Sequence, residues 1–218
     1  MVQLKHVNIG FILIMTLFLF SCNNIKKEYY EDGSLQSEVP YQDEHIHGRA
    51  VWYYQNGNKM METHYDQGKL NGSLIRYYEN GNKEVLEYYE HGLKDSISVN
   101  WNAPGQKISE AFYKNDTLHG SYKKWYDNGQ LQVEGQYKMG DFHGRWMYYD
   151  LSGNIVGIGN FERGAGVQKG YYPNGTLKRE IAYSENRKHG PEYHYDPDGS
   201  KFKTVIYKQG KVVEAITH

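Results

Sequence analysis

The chain has 218 residues, a formal net charge of −1 and a single cysteine. Balanced charge argues against nucleic-acid binding, which needs a dense basic surface, and one cysteine excludes an internal disulfide and a zinc site of several thiolates. Leu, Ile, Val and Phe supply only 33 of the 196 residues after Cys22, whereas the chain carries 22 tyrosines, so burial must come from aromatic rings laid on a thin β architecture.

An apolar segment near the N-terminus is typical of an export signal. The run 9–20 is almost entirely apolar and follows Lys5 and His6. As a helix it would rise about 18 Å, which is too short for a hydrocarbon core of about 30 Å. A basic start followed by a short apolar stretch therefore predicts a secretory signal peptide over residues 1–21.

The end of that segment indicates lipidation. Leu19-Phe20-Ser21-Cys22 resembles the lipobox of bacterial lipoproteins, in which the cysteine is diacylated and becomes the mature N-terminus. Two or more acyl chains hold a protein stably on a membrane. We expect lipidation at Cys22 and an acylated N-terminus and tether over 22–28. Asn23 replaces the aspartate that retains many such proteins at the inner membrane, which favours the outer membrane of a Gram-negative cell envelope.

The rest of the chain is one unit repeated eight times. Numbering each unit from zero at residues 24, 48, 72, 96, 120, 144, 166 and 190 places a glycine at offset nine every time. The aromatic residues at offset five are Tyr29, Tyr53, Tyr77, Trp101, Trp125, Tyr149, Tyr171 and Tyr195. Those at offset seventeen are Tyr41, Tyr65, Tyr89, Tyr113, Tyr137, Phe161, Tyr183 and Tyr207. This period predicts a repeat domain over 29–213 and a tail over 214–218.

Segments rich in Tyr, Trp, Val and Ile lie between the turn residues. Asn-Gly and Asp-Gly pairs at offsets eight and nine predict two-residue type I′ turns, in which both central residues have positive φ. A second turn closes each unit, marked by Gly68, Gly92, Gly140, Gly164 and Gly210. We predict an all-β fold: an elongated, largely single-layered antiparallel β-meander of about eight hairpin units and sixteen strands.

The turn position also predicts the strand register. A two-residue turn at offsets eight and nine pairs positions whose offsets sum to seventeen, so each offset-seventeen ring would cover offset zero, which is glycine in six units. Offset five would then point to the opposite face. The unit 144–165 is two residues short, so we expect a kink or a change of twist there. Unit 96–119 is degenerate: Ser96 stands at the glycine position of offset zero, and Pro104 stands at the turn position of offset eight.

The repeated unit resembles a known family. Segments such as Gly48-Arg-Ala-Val-Trp-Tyr-Tyr-Gln-Asn-Gly and Gly120-Ser-Tyr-Lys-Lys-Trp-Tyr-Asp-Asn-Gly are similar to MORN repeats, and most similar to the bacterial MORN-variant class. In that class a glutamate often stands three residues before the second aromatic residue. Here those glutamates are Glu38, Glu62, Glu110, Glu134 and Glu180. The resemblance implies an elongated binding or scaffold sheet without catalytic residues, and some members are antitoxin-like.

No pattern indicates catalysis, a metal or a cofactor. His47, His119, His143 and His189 share offset twenty-three, but equivalent residues would lie two strands, about 10 Å, apart and could not share a zinc ion. We interpret them as turn residues, and the repeated glutamates as decoration of a solvated face. The chain is therefore expected not to be an enzyme.

The offset-five residues of five successive units are the candidate binding surface: Tyr53, Tyr77, Trp101, Trp125 and Tyr149. A single-layered sheet cannot bury both faces, and Tyr and Trp are enriched at interfaces. We expect a lipid-anchored, non-enzymatic envelope protein that binds a protein or an envelope polymer. Two alternatives stay open: an antitoxin or immunity protein that neutralises a toxin, and direct phospholipid binding, which the near-neutral charge disfavours.

Overall fold

The segments of alternating aromatic, β-branched and polar residues all form strands. The computed structural model describes residues 24–218, and the strands are β1 (Asn24–Tyr29), β2 (Leu35–Gln42), β3 (His45–Ile46), β4 (Gly48–Tyr53), β5 (Lys59–Asp66), β6 (Lys69–Tyr77), β7 (Lys83–Glu90), β8 (Leu93–Trp101), β9 (Lys107–Lys114), β10 (Thr117–Trp125), β11 (Leu131–Lys138), β12 (Asp141–Tyr149), β13 (Ile155–Glu162), β14 (Ala165–Tyr171), β15 (Leu177–Ser184), β16 (Arg187–Tyr195), β17 (Lys201–Lys208) and β18 (Lys211–Thr217). All pairings are antiparallel and join strands that follow one another in the chain, except that β2 pairs with both β3 and β4, which are separated by His47 alone. The predicted all-β meander is confirmed.

The sheet reaches beyond the predicted repeat domain at both ends. Residues 24–29, expected to lie largely in a tether, form β1 and pair with β2. Strand β18 covers most of the expected tail. Within residues 24–218 no helix is long and apolar enough to cross a membrane. The predicted signal peptide and Cys22 lie outside the described residues.

The turns at the Asn-Gly pairs are not of the predicted type. At the Asn56-Gly57 pair, the amide of Gly57 donates to the carbonyl of Tyr54 (2.9 Å), and Gly57 alone has positive φ. This is a three-residue loop with a glycine bulge, so the predicted type I′ turn was wrong here. The two-residue loop with two positive φ angles is the second turn of the unit, as at Gln67 (45°) and Gly68 (80°).

The predicted register is nevertheless present, because a bulge compensates for the longer loop. Tyr53 pairs with Lys59 but Trp52 pairs with Met61, so Met60 is an extra residue. Beyond this bulge the paired offsets sum to seventeen. The resulting pairs of offset zero with the offset-seventeen ring are Asn24–Tyr41, Gly48–Tyr65, Gly72–Tyr89, Ser96–Tyr113, Gly120–Tyr137, Gly144–Phe161, Gly166–Tyr183 and Gly190–Tyr207.

A second bulge explains why offset zero is usually glycine. In the β5–β6 hairpin, Thr63 pairs with Leu74 and Tyr65 with Leu70, so the three residues 71–73 of β6 lie opposite a single residue of β5. Gly72, at the centre, has a φ of 114°. Residues with a Cβ rarely adopt this conformation. The glycine therefore permits the bulge. A Cβ at this position would lie 3.1 Å from Cβ of His64 and within 4 Å of no atom of Tyr89, so the predicted cover of this glycine by the cross-strand ring is not observed.

Alternation of side chains gives the sheet two different faces. The face that carries the offset-seventeen rings is called the core face, and it buries Trp146 and Ile181, which are 3% and 2% exposed. The opposite face, called the charged face, carries the offset-five aromatic residues and the repeated glutamates. Val51 and Val99 are buried between these side chains. Each face is covered by side chains of the same layer rather than by a second layer.

The sheet bends at the shortened unit, as expected. Strands β13 and β14 pair without a bulge, so the two missing residues are those that form the bulge in other units. The side-chain oxygen of Asn186 accepts a hydrogen bond from the amide of Phe142 (2.7 Å), although three strand spacings, about 14 Å, would separate them in a flat sheet. Packed rings fill the inside of this bend: Tyr122, Tyr137, Phe142, Trp146, Phe161 and Tyr183.

Candidate binding surface

The five aromatic residues predicted as a binding surface form one row along the charged face, which we call the aromatic row. They are the last residues of β4, β6, β8, β10 and β12, and all are half-buried: Tyr53, Tyr77, Trp101, Trp125 and Tyr149. Neighbouring members stand two strands apart, about 10 Å. The row therefore extends across nine strands of the sheet and leaves part of each ring accessible.

Repeated glutamates hold rings of the row in place. The hydroxyl of Tyr53 donates to Oε2 of Glu38 (3.1 Å), and that of Tyr149 donates to Oε1 of Glu134 (2.6 Å). The carboxylate of Glu134, together with partial burial, raises the pKa of Tyr149 to about 12. The phenol thus stays protonated in the neutral range and its ring orientation is restricted by a charge-assisted hydrogen bond.

Basic residues complete the contacts of these glutamates. Arg49 donates from Nε and Nη2 to the two carboxylate oxygens of Glu62 (2.7 and 2.8 Å), and Nζ of Lys59 donates to Oε2 (2.7 Å). These donors, Arg49 first, lower the pKa of Glu62 to about 2. The interpretation of the repeated glutamates as solvated decoration was wrong, since all five make an ion pair or accept a hydrogen bond: Glu38, Glu62, Glu110, Glu134 and Glu180.

Trp125 is held by a cation instead of a hydroxyl contact. Nζ of Lys107 lies 5.1 Å from the centroid of its ring and donates to Glu110 (2.7 Å). A lysine over an indole face is attracted by the ring quadrupole. The row therefore consists of rings that alternate with paired charges, and it offers apolar surface and hydrogen-bonding groups side by side.

A ladder of tyrosines at offset six supports the row from the turn side, and sequence reasoning missed it. Each hydroxyl donates to the backbone carbonyl of the offset-five residue in the next unit, at 2.7 to 2.9 Å. These bonds join Tyr30 to Tyr53, Tyr54 to Tyr77, Tyr78 to Trp101, Tyr126 to Tyr149 and Tyr172 to Tyr195. The available signal was a tyrosine at offset six in five of the eight units.

Asparagine at offset eight has a role other than the predicted one. Oδ1 of Asn80 accepts from the amide of Asn82 (3.0 Å), which closes its own turn, and Nδ2 of Asn80 donates to the carbonyl of Ala103 in the next turn (2.9 Å). Successive turns are thus hydrogen bonded along the sheet edge. The residue is selected by its side-chain amide and not by a tolerance of positive φ.

Two of the four histidines at offset twenty-three accept hydrogen bonds at turns, whereas Nδ1 of His47 and of His143 lies near a carboxylate (3.3 and 3.4 Å). Nδ1 of His119 accepts from the amide of Met139 and Nδ1 of His189 accepts from that of Gln209, each at 3.4 Å. The side-chain oxygen of Asn71, at the same offset, accepts from the next turn in the same way. His119, His189 and Asn71 therefore each cap the turn of the following unit. Within residues 24–218 no three His, Cys, Asp or Glu side chains converge as metal ligands would.

Comparison with known proteins assigns the repeat. A family model described as "MORN repeat variant" matches residues 23–43, 46–67, 70–92, 118–139, 142–163 and 166–185. The unmatched stretch 93–117 contains most of the degenerate unit. None of the curated proteins matches the chain.

A solved structure titled "Crystal Structure of TcdB2-TccC3-Cdc42" is similar over 85% of this chain, with 13% sequence identity and a TM-score of 0.19. The match covers 14% of that chain, so the protein described here spans about a seventh of its length. The family match, in contrast, covers more than half of the 218 residues in six repeats of the observed period. The chain belongs to the MORN repeat variant family.

Proposed function

We propose that this protein is a non-enzymatic, lipid-anchored component of the cell envelope that binds a protein or an envelope polymer through the aromatic row. The observation that supports binding is the row itself: five half-buried rings repeat across the charged face, and Tyr53, Trp125 and Tyr149 are held by charged groups of their own hairpins. Rings fixed before binding lose little conformational entropy when a partner docks.

The charged face favours such a partner over an anionic membrane. Anionic lipids attract clusters of unpaired basic residues, whereas Arg49 and Lys59 are paired with Glu62, and Lys107 with Glu110. The same ion pairs occupy the carboxylates that general acid–base catalysis would require to be free. Both features support a recognition surface.

Anchoring rests on the sequence Leu19-Phe20-Ser21-Cys22 and on the distance from Cys22 to the sheet. Strand β1 begins at Asn24, two residues after the cysteine. A lipidated Cys22 would therefore hold the first strand close to the membrane surface while the meander extends away from it. Repeat stacking of this kind presents a long surface from a single anchor point.

The binding proposal is tested by site-specific photo-crosslinking in intact cells. A photoreactive phenylalanine analogue at Trp101 or Trp125 is expected to capture the same envelope component, whereas the analogue at Met139, an exposed turn residue, is not. The captured partner should then bind the purified double variant Trp101→Ala/Trp125→Ala at least about tenfold more weakly, as expected for interface aromatic residues. Unchanged affinity would contradict the proposal, and a toxin as the captured partner would identify the protein as an immunity factor.

The anchoring proposal has a separate test. Cys22→Ser removes the thiol that lipidation requires, so the variant is expected to leave the membrane fraction, or to remain as unprocessed precursor, when cells are fractionated. The conservative change Ser21→Ala retains a small residue before the cysteine and serves as the control. A membrane fraction of normal amount and mobility for Cys22→Ser would refute lipid anchoring.

A further inference from the structure

A groove of about 750 Å³ lies on the core face between β10 and β15. Its floor is bare backbone, because Gly157 and Gly170 pair directly with each other in the β13–β14 hairpin. The equivalent pairs of other hairpins carry side chains: Ser37–Trp52, Met61–Arg76, Val85–Asn100, Val133–Tyr148 and Arg179–His194. The groove is therefore a local departure from the repeat, placed where the sheet bends.

Three cationic side chains border this groove. Lys124, Lys178 and Arg179 are exposed, and in the described part of the chain none of them forms an ion pair. The methylene chain of Arg179 runs beside the bare floor, since a Cβ on Gly170 would lie 3.1 Å from its Cγ. On the charged face Arg49, Lys59 and Lys107 are paired with glutamates of the repeat. The three cations of the groove form no such pair, although the carboxylate of Asp150 also lines it.

The neutral polar groups of the groove are donors as well. Oε1 of the buried Gln168 accepts a hydrogen bond from the hydroxyl of Tyr183 (3.0 Å). Its amide nitrogen and the hydroxyl of Tyr148 have no hydrogen-bond partner among residues 24–218. The carboxylate of Asp150 accepts from two backbone amides of its own turn, each at 2.9 Å. The groove thus presents ammonium, guanidinium, amide and phenol donors to whatever occupies it.

We propose that this groove binds a carboxylate-bearing saccharide. The planar fork of Arg179 suits a carboxylate, with Lys124 and Lys178 adding charge. The hydroxyl groups of a sugar can accept hydrogen bonds from Gln168 and Tyr148, and the apolar face of its ring can stack on a tyrosine ring. The volume is that of a small-molecule site. The proposal goes beyond the aromatic row, of which Tyr149 alone borders the groove.

Two other occupants fit the geometry less well. A peptide bound to a sheet by strand addition needs an unpaired strand edge, whereas β10 to β15 are paired on both sides. An inorganic anion would use the cations and leave the tyrosine walls and most of the volume without contact. Both occupants are included as arms of the test.

The test is isothermal titration calorimetry of the full chain with digalacturonic acid, an acidic disaccharide. Saturable binding at one site per chain is expected, with at least about tenfold weaker affinity for Arg179→Gln and for Lys124→Gln, since each removes a charge-assisted contact. The matched controls are Arg145→Gln and Lys123→Gln, which change the same residue types at a separate depression of the surface. These controls should bind as the unchanged protein does.

Four results would overturn the proposal. They are an absence of binding heat, equal losses in the two control variants, binding of the neutral disaccharide galabiose as tight as that of the acid, and binding of inorganic phosphate or tetraglutamate as tight as that of the acidic sugar. Circular dichroism of each variant establishes that it is folded. Because the variants do not alter Trp101 or Trp125, failure here leaves the partner proposal for the aromatic row intact.

Discussion

Ser96 occupies a backbone position that suits glycine. It stands at offset zero with a φ of 74°, where six of the other units have glycine. A left-handed conformation strains a residue with a Cβ, and glycine relieves the strain at some cost in unfolded-state entropy. Ser96→Gly is therefore expected to raise the free energy of unfolding in urea by about 0.5–1 kcal/mol.

The control for this change is the same substitution one position further along the unit. Ser121 lies in β10 and is not among the residues with positive φ. Glycine there should weaken the strand by roughly 0.5–1 kcal/mol. If both variants shift the urea midpoint in the same direction, the φ argument fails.

Glu62 makes stability depend on acid pH. Its pKa falls from 4.5 to about 2 through the bonds from Arg49 and Lys59. A carboxylate with a lowered folded-state pKa contributes stability above its unfolded pKa, and this contribution is lost as the pH falls from about 4.5 towards 2. Because Arg49 is half exposed, screening reduces the contribution to about 1–2 kcal/mol.

Glu62→Gln tests this linkage. The variant should be less stable than the unchanged protein at pH 7, and the difference should shrink steadily in urea titrations between pH 4.5 and 2. Glu90→Gln, at an exposed position without an ion pair in the described chain, should change stability by less than about 0.5 kcal/mol at both ends of this range. A difference for Glu62→Gln that does not vary with pH would show that the contact is not electrostatic.

At the scale of the hairpin, the tyrosine ladder ties each turn to the next unit. Tyr54→Phe keeps the ring and removes the hydrogen bond to the carbonyl of Tyr77 (2.8 Å). The expected loss is about 1 kcal/mol in the free energy of unfolding, since a part-buried acceptor loses its donor. Tyr88→Phe, at a tyrosine 40% exposed, should be nearly neutral. If the two changes lower the free energy of unfolding equally, the hydrogen bonds of the ladder do not contribute to stability.

Sequence reasoning predicted most at the scale of the hairpin, and it also missed most there. Period and aromatic offsets predicted the strands, the pairing of Gly48 with Tyr65 and the face of the aromatic row. The type of the Asn-Gly turn was predicted wrongly because Asn-Gly suits a type I′ turn and also a glycine-bulged loop, and composition alone does not separate them. The register survived because the bulge at Met60 restores it.

Side-chain partners were harder to predict than positions. The contact of Tyr149 with Glu134 is diagonal across neighbouring strands, within reach of long side chains but visible only once the register is known. The groove required two further facts, that the shortened unit lacks its bulge and that Gly157 then faces Gly170. Neither follows from glycine content, since glycines in that region also fit a simple irregular turn.

For the whole molecule, the pairing of each strand with its near neighbours in the chain means that stability accumulates along one dimension. Nothing in the pairing pattern requires a particular number of units. The exception is the bend, where Asn186 reaches from one turn to Phe142, three strands away, and binds the shortened unit to its neighbours. Units on the N-terminal side of the bend should therefore be exchangeable, and those at the bend should not.

Removal of the unit 96–119 tests this modularity. The deletion joins Asp95 to Gly120, so that a polar residue again precedes the glycine at offset zero, as at His47-Gly48, and it removes the strained Ser96. The protein is expected to fold with unchanged circular dichroism per residue and with a urea m-value lower by about one eighth, because m follows the surface exposed on unfolding. Removal of 96–107 alone takes out half a unit, so the turns that follow would fall on the opposite sheet edge. That shorter deletion should fail to fold, and if it proves as stable as the full-unit deletion, the hairpin is not the unit from which the sheet is built.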